Sequence, residues 1–130
     1  MEKYVLITGA SSGLGKETAK KLAKEGFKVF VGVRKEKDKL TLEALNPNIT
    51  AIFLDVTEEQ SLNSAAEEIA KTTDTLFALV NNAGIAIGGP VEYIPVDLLK
   101  KQFDVNVFGA IQCAQKFLPF LKKSDDARIV

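Results

Sequence analysis

The chain has no histidine and a single cysteine, Cys113. No intrachain disulfide can form, so a reducing, cytoplasmic setting is expected. One cysteine without histidine leaves too few ligands for zinc or another transition metal, and no metal site is expected. Ser–His and Cys–His nucleophile pairs are excluded on the same ground. No apolar run approaches the length of a membrane span. The first strand-like run starts so close to Met1 that no signal peptide is expected before it. Neither sign of charge is in excess: Lys and Arg number 17, Asp and Glu 17. That balance points away from nucleic acid and membrane surfaces as partners. Repeats and low-complexity tracts are lacking too. The 130 residues, 46% apolar and 26% charged, suffice for one domain with a core, 1–130.

What is present begins at TGASSGLG, residues 8–15, with glycines at Gly9, Gly13 and Gly15. Tyr4-Val5-Leu6-Ile7 before it suits a buried parallel strand. After it, Leu14, Thr18 and Leu22 recur at steps of four beside Ala19 and Ala23, with lysines mostly on the other side. That is an amphipathic helix, and Gly26 stands where its C-terminus wants a left-handed residue. A glycine loop between a buried strand and a helix N-terminus gathers free N–H groups and the positive end of the dipole, a natural phosphate site. Taken alone, it is equally well a flexible turn without a ligand.

The remaining elements follow in alternation. Lys28–Val33 reads as a second strand and 35–45 as a charged helical stretch. A third strand covers Thr50–Leu54. Thr57 with Gln60 makes a capping box for a helix bearing Leu62, Ala65, Ala66, Ile69 and Ala70. Leu76–Val80 is a fourth strand, and a loop with Gly84, Gly88, Gly89 and Pro90 comes next. One long helical pattern runs from about Pro95 to Lys123, bent or shortened near its end by Pro119. Ala127–Val130 opens a fifth strand. Such alternation predicts an α/β, Rossmann-type, doubly wound parallel sheet of three layers, strand order 3-2-1-4-5, cut short in strand five. Ligands in these sheets bind at the carboxyl ends of the strands. The glycine loop, Asp55 and Asn81-Asn82-Ala83-Gly84 all lie at such ends and should converge.

Together these residues resemble the short-chain dehydrogenase/reductase family in its compact single-domain branch. Thr8–Gly15 matches its TGxxxGxG cofactor loop, Leu54-Asp55-Val56 its adenine-contacting position and Asn81–Gly84 its NNAG motif. Asp104-Val105-Asn106-Val107 matches the helix bearing the catalytic-tetrad asparagine. The branch with an extra substrate domain spaces its glycines GxxGxxG, which this sequence does not. The resemblance implies an NAD(P)-dependent oxidoreductase interconverting an alcohol and a ketone or aldehyde. It also implies cofactor contacts at Gly9, Ser11, Ser12, Gly13, Leu14, Gly15, Asp55, Val56, Asn82, Ala83 and Gly84, and a proton-relay role for Asn106. Asn81 and Asn82 can equally pin strand four to its neighbours. At the end of strand two, where NAD users often place an acid, stand Val33, Arg34 and Lys35. A guanidinium there suits a 2′-phosphate, so NADP is preferred over NAD, although the glycine loop holds no basic residue.

The family's chemistry needs a tyrosine followed by a lysine four residues on, and a serine on the substrate carbonyl. Of the two tyrosines, Tyr4 is followed at that spacing by Thr8 and Tyr93 by Asp97. The expectation is a chain that carries the cofactor half of a site, stops inside strand five, and is inactive alone. The alternative is a non-catalytic dinucleotide-binding or interaction module. Substrate is not legible beyond a small alcohol or carbonyl compound. Apolar residues around most of the 105–121 helix imply burial on several sides, hence a homo-oligomer.

Overall fold

Tyr4–Ile7 forms β1, and the chain then winds α1 (Gly13–Lys24), β2 (Lys28–Val33), α2 (Glu36–Glu43), β3 (Ile49–Phe53), α3 (Glu59–Ala70) and β4 (Ala78–Val80). After a long loop come α4 (Val96–Phe103), a π-helical segment (Asp104–Gly109), α5 (Ala110–Leu121) and the short β5 (Arg128–Ile129). These elements belong to a computed structural model that describes all of residues 1–130. The sheet has the order β3-β2-β1-β4-β5 and every pairing is parallel. No helix is long and apolar enough to cross a membrane.

Period-two alternation divides the strands between two cores. Leu6, Phe30, Ile52 and Leu79 face Leu62 and Ile69 of α3 and Cys113 and Phe117 of α5. Val5, Ile7, Val29, Val31 and Ala51 face Ala19 and Ala23 of α1 and Leu42 of α2. Both faces are covered, which is why the strands read as continuous apolar runs. Each fully buried Leu, Val or Phe stabilises this arrangement by about 1.5–3 kcal/mol. The Cys113 thiol is fully enclosed, and burial pushes its pKa up to about 12. It is a small core apolar group with no reactive thiolate.

Three local expectations are corrected. The buried row of α1 is Gly15, Ala19 and Ala23, while Leu14 is 84% exposed. Small residues let the helix lie close on the sheet, and the larger Leu14 and Thr18 fall to the flank. Thr57 does not cap α3; the N-cap is Glu58, without a side-chain cap bond. The Thr57 hydroxyl is taken by Asp55 Oδ1 at 2.7 Å. The long helix is not uniform, because the π-helical turn separates α4 from α5. Pro119 lies inside α5, which ends at Leu121, short of the expected Lys123.

Candidate functional site

β1 ends at a loop bridging its two neighbours. Thr8 N–H donates to Val80 O of β4 and Ala10 N–H to Gly32 O of β2, each at 3.1 Å. Gly9 and Gly13 both take φ +60°. A Cβ on Gly9 would stand 2.7 Å from Ala83 Cα, so the loop is pressed against the chain leaving β4. A Cβ on Gly13 would meet nothing within 4 Å, so the backbone there is open to a ligand. The first bond into α1 runs from Lys16 N–H to Ser12 O at 3.4 Å. The N–H groups of Ser11 and Ser12 donate to no group of the chain. Those of Gly13, Leu14 and Gly15 precede the first helical bond. Free donors at the positive end of a helix make an anion cradle.

The end of β4 locks this loop. Asn82 Nδ2 donates to Thr8 O at 3.1 Å and Gly9 O at 2.9 Å, and Ala83 N–H donates to Thr8 Oγ1 at 2.9 Å. A Cβ on Gly15 would collide with the Asn82 amide, so Gly15 makes room for the group that pins the loop. Asn81 N–H donates to Val130 O at 2.7 Å, joining β4 to the chain after β5. Its Oδ1 is buried without a partner.

Asp55 leaves β3 in a tight turn. Its Oδ1 accepts from Thr57 N–H at 3.0 Å as well as from the hydroxyl, and its own N–H donates to Ser61 Oγ at 2.8 Å. Burial pushes its carboxyl up, but the Thr57 hydrogen bonds and the Arg34 charge outweigh that and hold it below the ordinary value. It is therefore ionised at neutral pH. Arg34 is exposed at the end of β2 and forms no ion pair.

A cavity of about 440 Å³ joins these parts. Among its walls are Gly9, Ser11, Ser12, Arg34, Asp55, Val56, Asn82, Ala83 and Gly84, brought together from the ends of four strands. Gly13, Leu14, Gly15 and Asn106 do not line it. Gly32, Ile85 and Lys101 do, none of them expected there from the sequence, and so does Val105 of the Asp104–Val107 motif. Lys101 and Val105 are one helical turn apart, a signal that appears only once α4 is known to face the cavity.

Asn106 acts one layer behind. Its Oδ1 accepts from Ile85 N–H at 2.8 Å and its Nδ2 donates to Ile85 O at 2.7 Å. The amide thus copies a neighbouring strand, and Gln102 Oε1 continues the pattern by accepting from Ile87 N–H. Gly109 lets the π-helical turn approach Val56, whose Cγ2 would lie 2.6 Å from an added Cβ. Neither tyrosine belongs to this site. Tyr4 stacks on Phe30 at 5.6 Å, and its hydrogen bond to Glu2, then burial, raises its pKa. A proton-transfer tyrosine needs the opposite shift. Tyr93 is 76% exposed on the loop before α4.

The short chain dehydrogenase family profile matches residues 3–130. The chain is 39% identical over 130 residues to the NADPH-dependent 3-dehydrocapnine reductase of Ornithobacterium rhinotracheale, covering 97% of this chain and 46% of that protein. A short-chain dehydrogenase structure from Streptomyces avermitilis superposes with a TM-score of 0.91 at 29% identity, covering 99% of this chain and 48% of that one. ElxO with NADP bound gives a TM-score of 0.90 at 30% identity, covering 99% and 54%. The chain spans about half the length of the curated relatives it matches. Glycine loop, Asn82 lock, Asn106 turn and a profile running from residue 3 to residue 130 lead to one assignment: the chain belongs to the short chain dehydrogenase family.

Proposed function

We propose that the whole protein is a nicotinamide-dinucleotide-dependent oxidoreductase interconverting an alcohol and a ketone or aldehyde. This chain carries its cofactor-binding half. One observation carries the reading: the free N–H donors of Ser11 and Ser12, an unpaired Arg34 and an ionised Asp55 all border the same cleft, and the open Gly13 follows Ser12 in the loop. The donor set fits a dinucleotide. The Ser11–Leu14 amides would hold the pyrophosphate, Asp55 the adenine amino group and Arg34 a 2′-phosphate. The bound cofactor supplies or accepts the hydride. Ile85 and Val105 give the cleft apolar wall, and Asn106 fixes the height of Ile85. NADP(H) is preferred, since no carboxylate ends β2. A relative named NADPH-dependent and neighbours solved with NADP support that preference. One neighbour is complexed with NADH.

No Tyr-x-x-x-Lys pair stands in these 130 residues. Calorimetry on the purified chain is expected to show NADP binding tighter than NAD, while a ketone panel shows no turnover. A longer protein that includes this chain and a Tyr-x-x-x-Lys pair is expected to reduce members of that panel. Turnover by the chain alone, freed of host reductases, would remove the inactivity reading. Binding without turnover in the longer protein would favour a non-catalytic module.

Self-association belongs to the same reading. Phe103 (55%), Phe108 (52%) and Ile111 (49%) are exposed along α4, the π-helical turn and α5. A symmetric dimer is the simplest closed way to cover such a stripe. Size-exclusion chromatography with light scattering over a dilution series is expected to show a dimer. A monodisperse monomer at high micromolar concentration refutes it. The enclosed Cys113 and the lack of disulfides suit a reducing, cytoplasmic setting.

A further inference from the structure

We propose that Lys101 is a second determinant of 2′-phosphate recognition, acting with Arg34 on the same anionic group. The inference rests on the NADP preference stated above. Arg34 from β2 and Lys101 from α4 are the two cationic side chains on the cavity wall, against one carboxylate, Asp55. That carboxylate already accepts two hydrogen bonds from Thr57 and feels the charge of Arg34.

Ordinary roles for Lys101 are not filled. Asp97 and Asp104 flank it at helical ion-pair spacing, yet it pairs with neither. Nor does it compensate a helix C-terminus. α4 runs straight into the π-helical turn and α5, so no free helix end follows it. Lys100, its neighbour in sequence, does not line the cavity. Lys101 lies one turn before Val105, which does.

A phosphate monoester carries about −1.5 to −2 charges at neutral pH. The glycine loop offers it no side-chain cation. Arg34 alone leaves about a third to a half of that charge unmatched. A lysine on a flexible stem is a mobile point charge that can follow the phosphate, whereas the guanidinium fork fixes its orientation.

Titrations of NADP, NAD, 2′,5′-ADP and 5′-AMP against wild type, Lys101→Gln, Lys101→Arg, Lys100→Gln and Arg34→Gln test this. Lys101→Gln is expected to weaken the 2′-phosphorylated ligands about three- to tenfold more than their unphosphorylated counterparts, an effect that shrinks with added salt. Lys101→Arg should restore most of the difference, and Lys100→Gln should change neither series. Equal weakening of both series by Lys101→Gln, or no change in either, overturns the assignment. Should Arg34→Gln erase a wild-type preference for NADP that Lys101→Gln leaves intact, only the role of Lys101 fails. A wild type that binds both cofactors equally, or neither, overturns this proposal together with the NADP reading.

Discussion

Asn82→Asp is expected to lose about 2–4 kcal/mol of folding stability at pH 7, and Asn82→Ala about 1–2 kcal/mol. The asparagine donates to two backbone oxygens, Thr8 O and Gly9 O. Alanine forfeits those bonds in a half-buried position. An ionised carboxylate does worse, because it turns a third oxygen toward the other two. The sign of the pH dependence follows. Carbonyl neighbours and partial burial raise the introduced carboxyl's folded pKa above the unfolded value of about 3.9. Its neutral form can still donate one hydrogen bond. Below the unfolded pKa the extra penalty is absent. It grows as pH rises from the unfolded pKa to the folded pKa and is complete above the latter. Urea denaturation of both variants at pH 4 and pH 7, each referred to wild type at the same pH, reads this out. An equal deficit at both pH values for Asn82→Asp, or a larger deficit for Asn82→Ala, would refute the donor assignment.

Gly9→Ala and Gly13→Ala should separate folding from binding. Both glycines take φ +60°, which costs an L-residue about 1–2 kcal/mol. At Gly9 the added Cβ also meets Ala83 backbone, Cα at 2.7 Å and N at 3.2 Å. That backbone cannot retreat without stretching the Ala83–Thr8 hydrogen bond. Overpacking adds about 1–3 kcal/mol, for a total of about 2–5. Gly13→Ala meets no atom within 4 Å and should lose only the conformational part. In the proposed binding mode its methyl group stands in open space beside the Ser11–Leu14 amides and would crowd a pyrophosphate held there. Dinucleotide affinity is expected to fall at least about tenfold, or about 1.4 kcal/mol. Thermal or chemical denaturation paired with cofactor titration measures both quantities. Equal stability losses in the two variants would show that the contact with Ala83 yields easily.

Much of the fold was readable because its signals are local. Apolar strands alternating with amphipathic helices lead to a parallel sheet, and the right-handed crossover rule leaves few orders besides 3-2-1-4-5. Strand ends predicted to converge do so: Gly9, Asp55 and Asn82 border one cavity, and Arg34 joins them there. The misreadings share a cause, namely competition that no single element reveals. Thr57 fits a capping box, but Asp55, two residues upstream, takes its hydroxyl and its N–H. Leu14 fits an apolar stripe, but close helix–sheet approach favours Gly15 and Ala19. The π-helical turn leaves no mark in composition. It becomes intelligible only when Asn106 is seen bonded to Ile85 and Gly109 against Val56. Lys101 escaped notice because a lysine between two aspartates reads as a solvated helix face until its cavity is known.

The bonds that lock the glycine loop to the end of β4 span 73, 74 and 75 residues of chain. On a ribosome adding about 5–20 residues per second, roughly 4–15 s separate synthesis of Gly9 from that of Asn82. During that interval β1 also lacks its β4 partner. Contacts of such separation form late, after the closure entropy of everything between has been met. The glycine loop is therefore the first part of the candidate site to leave the ribosome and among the last to take its final shape. A nascent chain halted before Asn82 would lack the bonds that lock Thr8–Gly15 and should leave that loop more open to cleavage.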